Sequence, residues 1–144
     1  MEWMLLPLRR YADFTGRSTR QEYWMYVLFC AILYFVALIV FLFCLGLSSE
    51  GAKPGDPAAT TGALIGILVF VLVYLALFIP TLAVQARRFH DQELSGWLVL
   101  LGFIPYLGWL IMLIFMCIDG TAGPNRYGPD PKGRGGQRQA DIFA

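Results

Sequence analysis

The chain has 144 residues, room for one domain, and a formal net charge of +1, too small a basic excess to point to nucleic acid. Its residues are 58% hydrophobic with a mean hydropathy of +0.60, against roughly 45–50% apolar usage in soluble domains. Three uncharged stretches hold the excess, Tyr23 to Ser49, Pro57 to Ala86 and Leu94 to Ile118, each longer than the roughly 20 residues a helix needs to cross a bilayer. These properties exclude a soluble domain and predict an all-α integral membrane protein.

Residues 1 to 14 set Trp3, Leu6, Leu8, Tyr11 and Phe14 among Arg9, Arg10 and Asp13, the pattern of a short amphipathic helix lying in the membrane interface. Thr15-Gly16-Arg17 breaks that pattern. Thr19 followed three residues later by Glu22 has capping-box spacing and marks the start of the first long helix, with Tyr23, Trp24 and Tyr26 as an aromatic belt. The first apolar segment, about 24–47, lacks a small-x-small cleavage site and is too long for a signal peptide, so it is expected to stay in the mature chain.

Ser48 to Thr61 is rich in Gly, Pro, Ser and Thr and is expected to be an exposed loop. The second apolar segment, about 62–86, opens with Gly62 and Gly66, a spacing that lets helix backbones approach closely but also recurs by chance. Pro80 is expected to kink it by freeing a carbonyl one turn earlier. The third segment, about 96–118, is interrupted at its middle by Pro105-Tyr106-Leu107-Gly108. Two forms fit it: a kinked but complete span, the first expectation, or a re-entrant hairpin whose arms each reach roughly half a bilayer. The hairpin puts ten of the 11 Lys and Arg on the N-terminal side and one opposite, as the positive-inside tendency favours with a cytoplasmic N-terminus; three full spans divide them almost evenly. Residues 1–132 are expected to form a single membrane domain and residues 133–144 a disordered tail.

Cys30, Cys44 and Cys117 lie in apolar stretches without a companion His, and read as small hydrophobes. Neither a metal site nor a cofactor is expected. The polar residues gather in three clusters beside the apolar segments: Gly16 to Trp24, Arg87 to Asp91 with Ser95-Gly96-Trp97, and Gly120 to Pro131. From these we take Arg17, Arg20, Glu22, Arg87, Arg88, His90, Asp91, Asn125, Arg126 and Asp130 as a candidate interfacial polar or lipid-headgroup site. The arginines suit either topology anchoring or phosphate of anionic headgroups. An ion pair from Arg17 or Arg20 to Asp91 would lock the segments together. His90 is the single histidine, and its neighbour Asp91 points about 100° away on a helix, so the two do not face each other; an interfacial structural or pH-responsive role is the first expectation for His90 and a catalytic or proton-relay role the alternative.

Together the three clusters resemble a known family, the small bacterial inner-membrane proteins grouped as domain of unknown function 805. The resemblance rests on Gly16-Arg17-Ser18-Thr19-Arg20-Gln21-Glu22-Tyr23-Trp24, on Arg87-Arg88-Phe89-His90-Asp91 and on Asn125-Arg126-Tyr127-Gly128-Pro129-Asp130-Pro131, and it covers nearly the whole chain in the right order. The chain departs from the pattern at Phe89, where Leu is usual, and around Glu93, where a small or turn-forming residue is usual. The resemblance implies a bacterial inner-membrane location and a fold, but no chemistry.

With no nucleophile, metal cluster or phosphate loop in the sequence, the expected role is non-enzymatic: a protein partnered by the lipid bilayer, anionic headgroups included, and acting as a homo-oligomer or within a larger membrane complex. An oligomeric conduit or transporter subunit is the alternative, although the membrane interior carries no ionisable residue to mark a pathway. A lipid-binding or lipid-modifying role at the interface comes third.

Overall fold

Long uncharged runs of Leu, Ile, Val, Phe and Ala have no partner for their backbone polar groups in lipid except their own helix, so helices are the form they take. The computed structural model describes residues 2–49 and 57–134. The elements are α1 (Glu2–Arg9), α2 (Arg20–Ser49), α3 (Pro57–Asp91), a 3-10 helix (Gly96–Phe103) and α4 (Gly108–Cys117), with no strand among the described residues. Within α2 and α3, Arg20–Gly46 and Thr60–Asp91, of 27 and 32 residues, are long and apolar enough to cross a membrane.

α2 starts where its cap is. The Thr19 hydroxyl oxygen accepts a hydrogen bond from the Glu22 backbone N–H at 3.1 Å, satisfying one of the four donors left open at a helix start. The connection expected from Ser48 to Thr61 is shorter than its composition implies. α2 is helical through Ser49, and α3 begins at Pro57, whose missing N–H costs nothing in the first turn. Residues 50–56 and the expected disordered tail beyond Arg134 lie outside the described residues. α3 is helical on both sides of the buried Pro80, and it carries Arg87 to Asp91 on its last turn instead of leaving them in a connection.

The chain divides into two compact units, residues 27–78 and the remainder. In the first, Gly66 lies against Phe41: a Cβ added there would stand 2.7 Å from Phe41 Cδ2 and 3.1 Å from its Cα. Gly66 therefore serves close helix approach, as its spacing from Gly62 allowed. Tyr34 and Phe70 rings meet beside it with centroids 6.1 Å apart. Most other large apolar side chains of this unit are exposed, including Phe35, Phe43 and Leu68.

In the second unit the third apolar segment doubles back. Of the two forms left open by the sequence, the chain takes the hairpin and not the kinked span. The Leu107 N–H reaches the Pro105 carbonyl at 2.7 Å across Tyr106, a three-residue γ-turn with Tyr106 at φ +65°. The arms meet at glycine, since a Cβ on Gly108 would lie 2.7 Å from the carbonyl oxygens of Leu101 and Gly102. The 3-10 helix has 8 residues and α4 has 10. Each arm is therefore roughly 15 Å long, half the hydrocarbon thickness. The return delivers Phe115 to Thr121 to the end of α3 from which the segment set out.

Candidate functional site

The three polar clusters meet at that point, within the second unit. Arg17 is the hub. Its side chain is 1% exposed, and its guanidinium donates from Nε to Asp91 Oδ1 at 2.9 Å, from Nη1 to the Gly123 carbonyl at 2.7 Å and from Nη2 to the Thr121 carbonyl at 2.6 Å. A planar fork with five donors suits this role, because it can bind one carboxylate and two carbonyls from separate stretches of chain in fixed directions. Of the two arginines expected to approach Asp91, Arg17 is the one that does.

Asp91 is shared. Its Oδ2 accepts from Arg88 Nη1 at 2.6 Å, while its backbone carbonyl accepts from the Thr121 N–H at 2.8 Å. The carboxylate lies so close to the returning chain that a Cβ on Gly120 would stand 1.8 Å from Oδ2. Only glycine fits there.

The C-terminal end of α4 explains the traffic around it. A helix leaves its last four carbonyls without partners inside the helix. Here Gln92 Nε2 donates to the Phe115 carbonyl at 2.6 Å, Arg20 Nη1 to the Cys117 carbonyl at 3.1 Å, and Arg88 Nη2 to the Ile118 carbonyl. Arg20 also pairs with Asp119 at 2.9 Å, and Asp119 with Lys132 at 2.7 Å. Cationic groups at a helix C-terminus further oppose the negative end of its dipole.

Asn125 ties the tail to α3. Its Nδ2 donates to the His90 carbonyl at 3.0 Å and to Thr121 Oγ1 at 3.1 Å, while its Oδ1 accepts from the Tyr127 N–H at 2.9 Å in an Asx turn. Arg126 donates to the Glu93 carbonyl at 2.7 Å and lies 4.7 Å from the centroid of the Tyr127 ring, in cation–π range. Glu93 has φ +61°, in the left-handed region that turn-forming residues favour. Asp130 accepts from the Gly123 and Lys132 amides at 3.3 and 2.9 Å and from Arg134 Nε at 2.9 Å. Burial opposes its ionisation, but these hydrogen bonds outweigh that and hold the carboxyl well below the usual carboxylate range. The hydrogen bond from Lys132 lowers Asp119 in the same direction.

His90 and Asp91 diverge as helical neighbours must. The His90 ring stacks on Tyr127 at 3.9 Å and 8°, with Nδ1 3.2 Å from the Gly16 carbonyl oxygen. Glu22 and Arg87 form a second buried pair, Oε1 to Nη1 at 3.4 Å. Neither that oxygen nor Arg87 Nη1 or Nη2 makes an aligned hydrogen bond among the described residues. Arg17, Arg87 and Arg88 are all buried, so the headgroup contact considered for them does not fit their placement; Arg20 keeps partial exposure.

All ten candidate residues fall in this region, eight of them linked through the returning tail and Glu22 and Arg87 as a neighbouring pair. Sequence reasoning passed over Gln92, Gly120, Thr121 and Tyr127 as partners. Gly120, Thr121 and Tyr127 stand inside the third cluster, so their place in the motif was the available signal; a glutamine after a helix gave none.

The family model described as "Protein of unknown function (DUF805)" matches residues 11–129, and the chain belongs to that family. It is 42% identical to "Inner membrane protein YhaH" of Escherichia coli (strain K12) over 134 residues, 92% of this chain and 98% of that protein. It is 40% identical to "Inner membrane protein YhaI" of the same strain over 132 residues, 92% of this chain and 97% of that one. No solved structure matches it.

Proposed function

We infer that this family member is a multi-pass protein of the bacterial inner membrane, with two complete spans, a re-entrant hairpin and both ends in the cytoplasm, and that it acts without chemistry of its own. Its role is structural: assembly with itself or within a larger membrane complex. The observation that carries this reading is the use made of the polar motifs. Arg17, Arg88 and Asp91 are spent on one another and on the carbonyls of the returning chain, which leaves them no face for a substrate. The names of the relatives support the location, and the hairpin brings the division of Lys and Arg to ten against one.

Reporter fusions after Ala144 and at Lys53 test the topology. Cytoplasmic activity at the first and external activity at the second are expected; an external C-terminus overturns the two-span reading. Crosslinking in intact membranes tests the role, with adducts to itself or to a partner as the expected result and a strict monomer as the contrary one.

A further inference from the structure

A cleft of about 570 Å³ opens beside these polar clusters, lined by Leu82, Ala86 and His90 of α3, by Ser95, Trp97, Val99 and Leu100 at and within the 3-10 helix, and by Tyr127. Its size falls in the range of small-ligand sites, and its walls are aliphatic and aromatic. The polar groups on it are few, and their hydrogen-bonding sense is defined. The Gly16 carbonyl only accepts, so the His90 Nδ1 that faces it carries the ring hydrogen, and Nε2 of the neutral ring is a bare acceptor. Nε2 stays open because residue 96 is glycine: a Cβ there would stand 2.9 Å from it. Ser95 Oγ accepts from the Trp97 N–H at 3.4 Å, which leaves its own hydrogen to donate. No Asp, Glu, Lys or Arg lines the cleft.

We propose that this cleft binds an uncharged membrane lipid with a free hydroxyl, of the diacylglycerol class. The hydroxyl donates to His90 Nε2, an ester carbonyl on a neighbouring carbon accepts from the Ser95 hydroxyl, and the acyl chains run along Leu82, Val99 and Leu100. Such a lipid offers one donor and several acceptors a few bonds apart, which suits two polar groups carried on different elements. A phospholipid is disfavoured, because its phosphate would enter a mostly apolar cleft lined by no cation. The proposal rests on the membrane reading above, since only a chain embedded in a bilayer meets this ligand from the side.

Trp97 lines the cleft and reports on it. In a variant with Trp3, Trp24 and Trp109 changed to Phe, reconstituted in phosphatidylcholine nanodiscs, bromine on an acyl chain quenches Trp97 at short range. Diacylglycerol with brominated chains is expected to quench saturably at low mole fraction. Its acetylated analogue, which has lost the hydroxyl, and brominated phosphatidylcholine at the same fraction are expected to give only weak, linear quenching. His90→Phe keeps the stacking on Tyr127 but loses the acceptor, and weakens the saturable quenching roughly fivefold, the worth of one hydrogen bond; Ser95→Gly does so to a similar degree. Equal quenching by all three lipids, or a free hydroxyl that confers no advantage, overturns the proposal while leaving the membrane reading in place. Trp97 unquenched in a disc made wholly of brominated phosphatidylcholine overturns both.

Discussion

The two units of this chain solve the same problem by different means. In residues 27–78 the described helices carry no charged residue, and close approach is achieved by a glycine against a phenylalanine and by ring contact. In the other unit, three stretches far apart in sequence are held by Arg17, Arg88 and Asp91 and by side chains that cap the carbonyls of α4. Lipid tails are as apolar as leucine, so burial of apolar surface gives helices in a membrane little reason to prefer one arrangement. Small residues and satisfied polar groups supply that preference instead, and this protein assigns one device to each unit.

The comparison predicts unequal sensitivity to substitution. Asp91→Ala is expected to have the largest effect, about 3–5 kcal/mol in a denaturation titration of the purified protein in micelles, because it leaves Arg17 and Arg88 buried without their carboxylate. Exchanging the charges of Arg17 and Asp91 should not restore stability, since Arg88 Nη1 lies 2.6 Å from Asp91 Oδ2 and would then face a cation. In the apolar unit Gly66→Leu is expected to cost about 1–3 kcal/mol by forcing the helices apart at Phe41, measured by the same titration. Gly46→Ala, with nothing within 4 Å of the added atom, is the silent control. Equal losses from Asp91→Ala and Gly66→Leu would erase the distinction between the two devices.

Acid tests the polar unit selectively. The folded chain holds Asp130 below its ordinary pKa of about 3.9, so its ionisation stabilises the fold in full above that value. This contribution fades as pH falls below about 4 toward the lowered folded value, and the tail should become protease-sensitive there. Asp130→Asn should remove that pH dependence and leave a tail already weakened at neutral pH. The smallest effect is a gain: Tyr106→Gly should stabilise the hairpin by about 1 kcal/mol in the same denaturation titration, by relieving a positive φ at an exposed side chain.

Much of this was legible along the chain. Uncharged runs longer than a bilayer crossing named the solvent, Thr19 and Glu22 marked the start of α2, and three short motifs carried the family. These readings depend on local composition and spacing, which sequence expresses directly. The hairpin was different: Pro105 to Gly108 permitted either a kink or a reversal, and local propensity could not choose between them. The reversal is accompanied by partners for the carbonyls of Phe115, Cys117 and Ile118, and those are Gln92, Arg20 and Arg88, between 23 and 97 residues away in the chain. The same holds for Gly120, whose need to be glycine follows from a carboxylate on another helix. Composition determined that the chain enters a membrane; the returning third segment is held by polar groups that meet only in three dimensions, because buried charges and helix-end carbonyls need partners that local sequence does not supply.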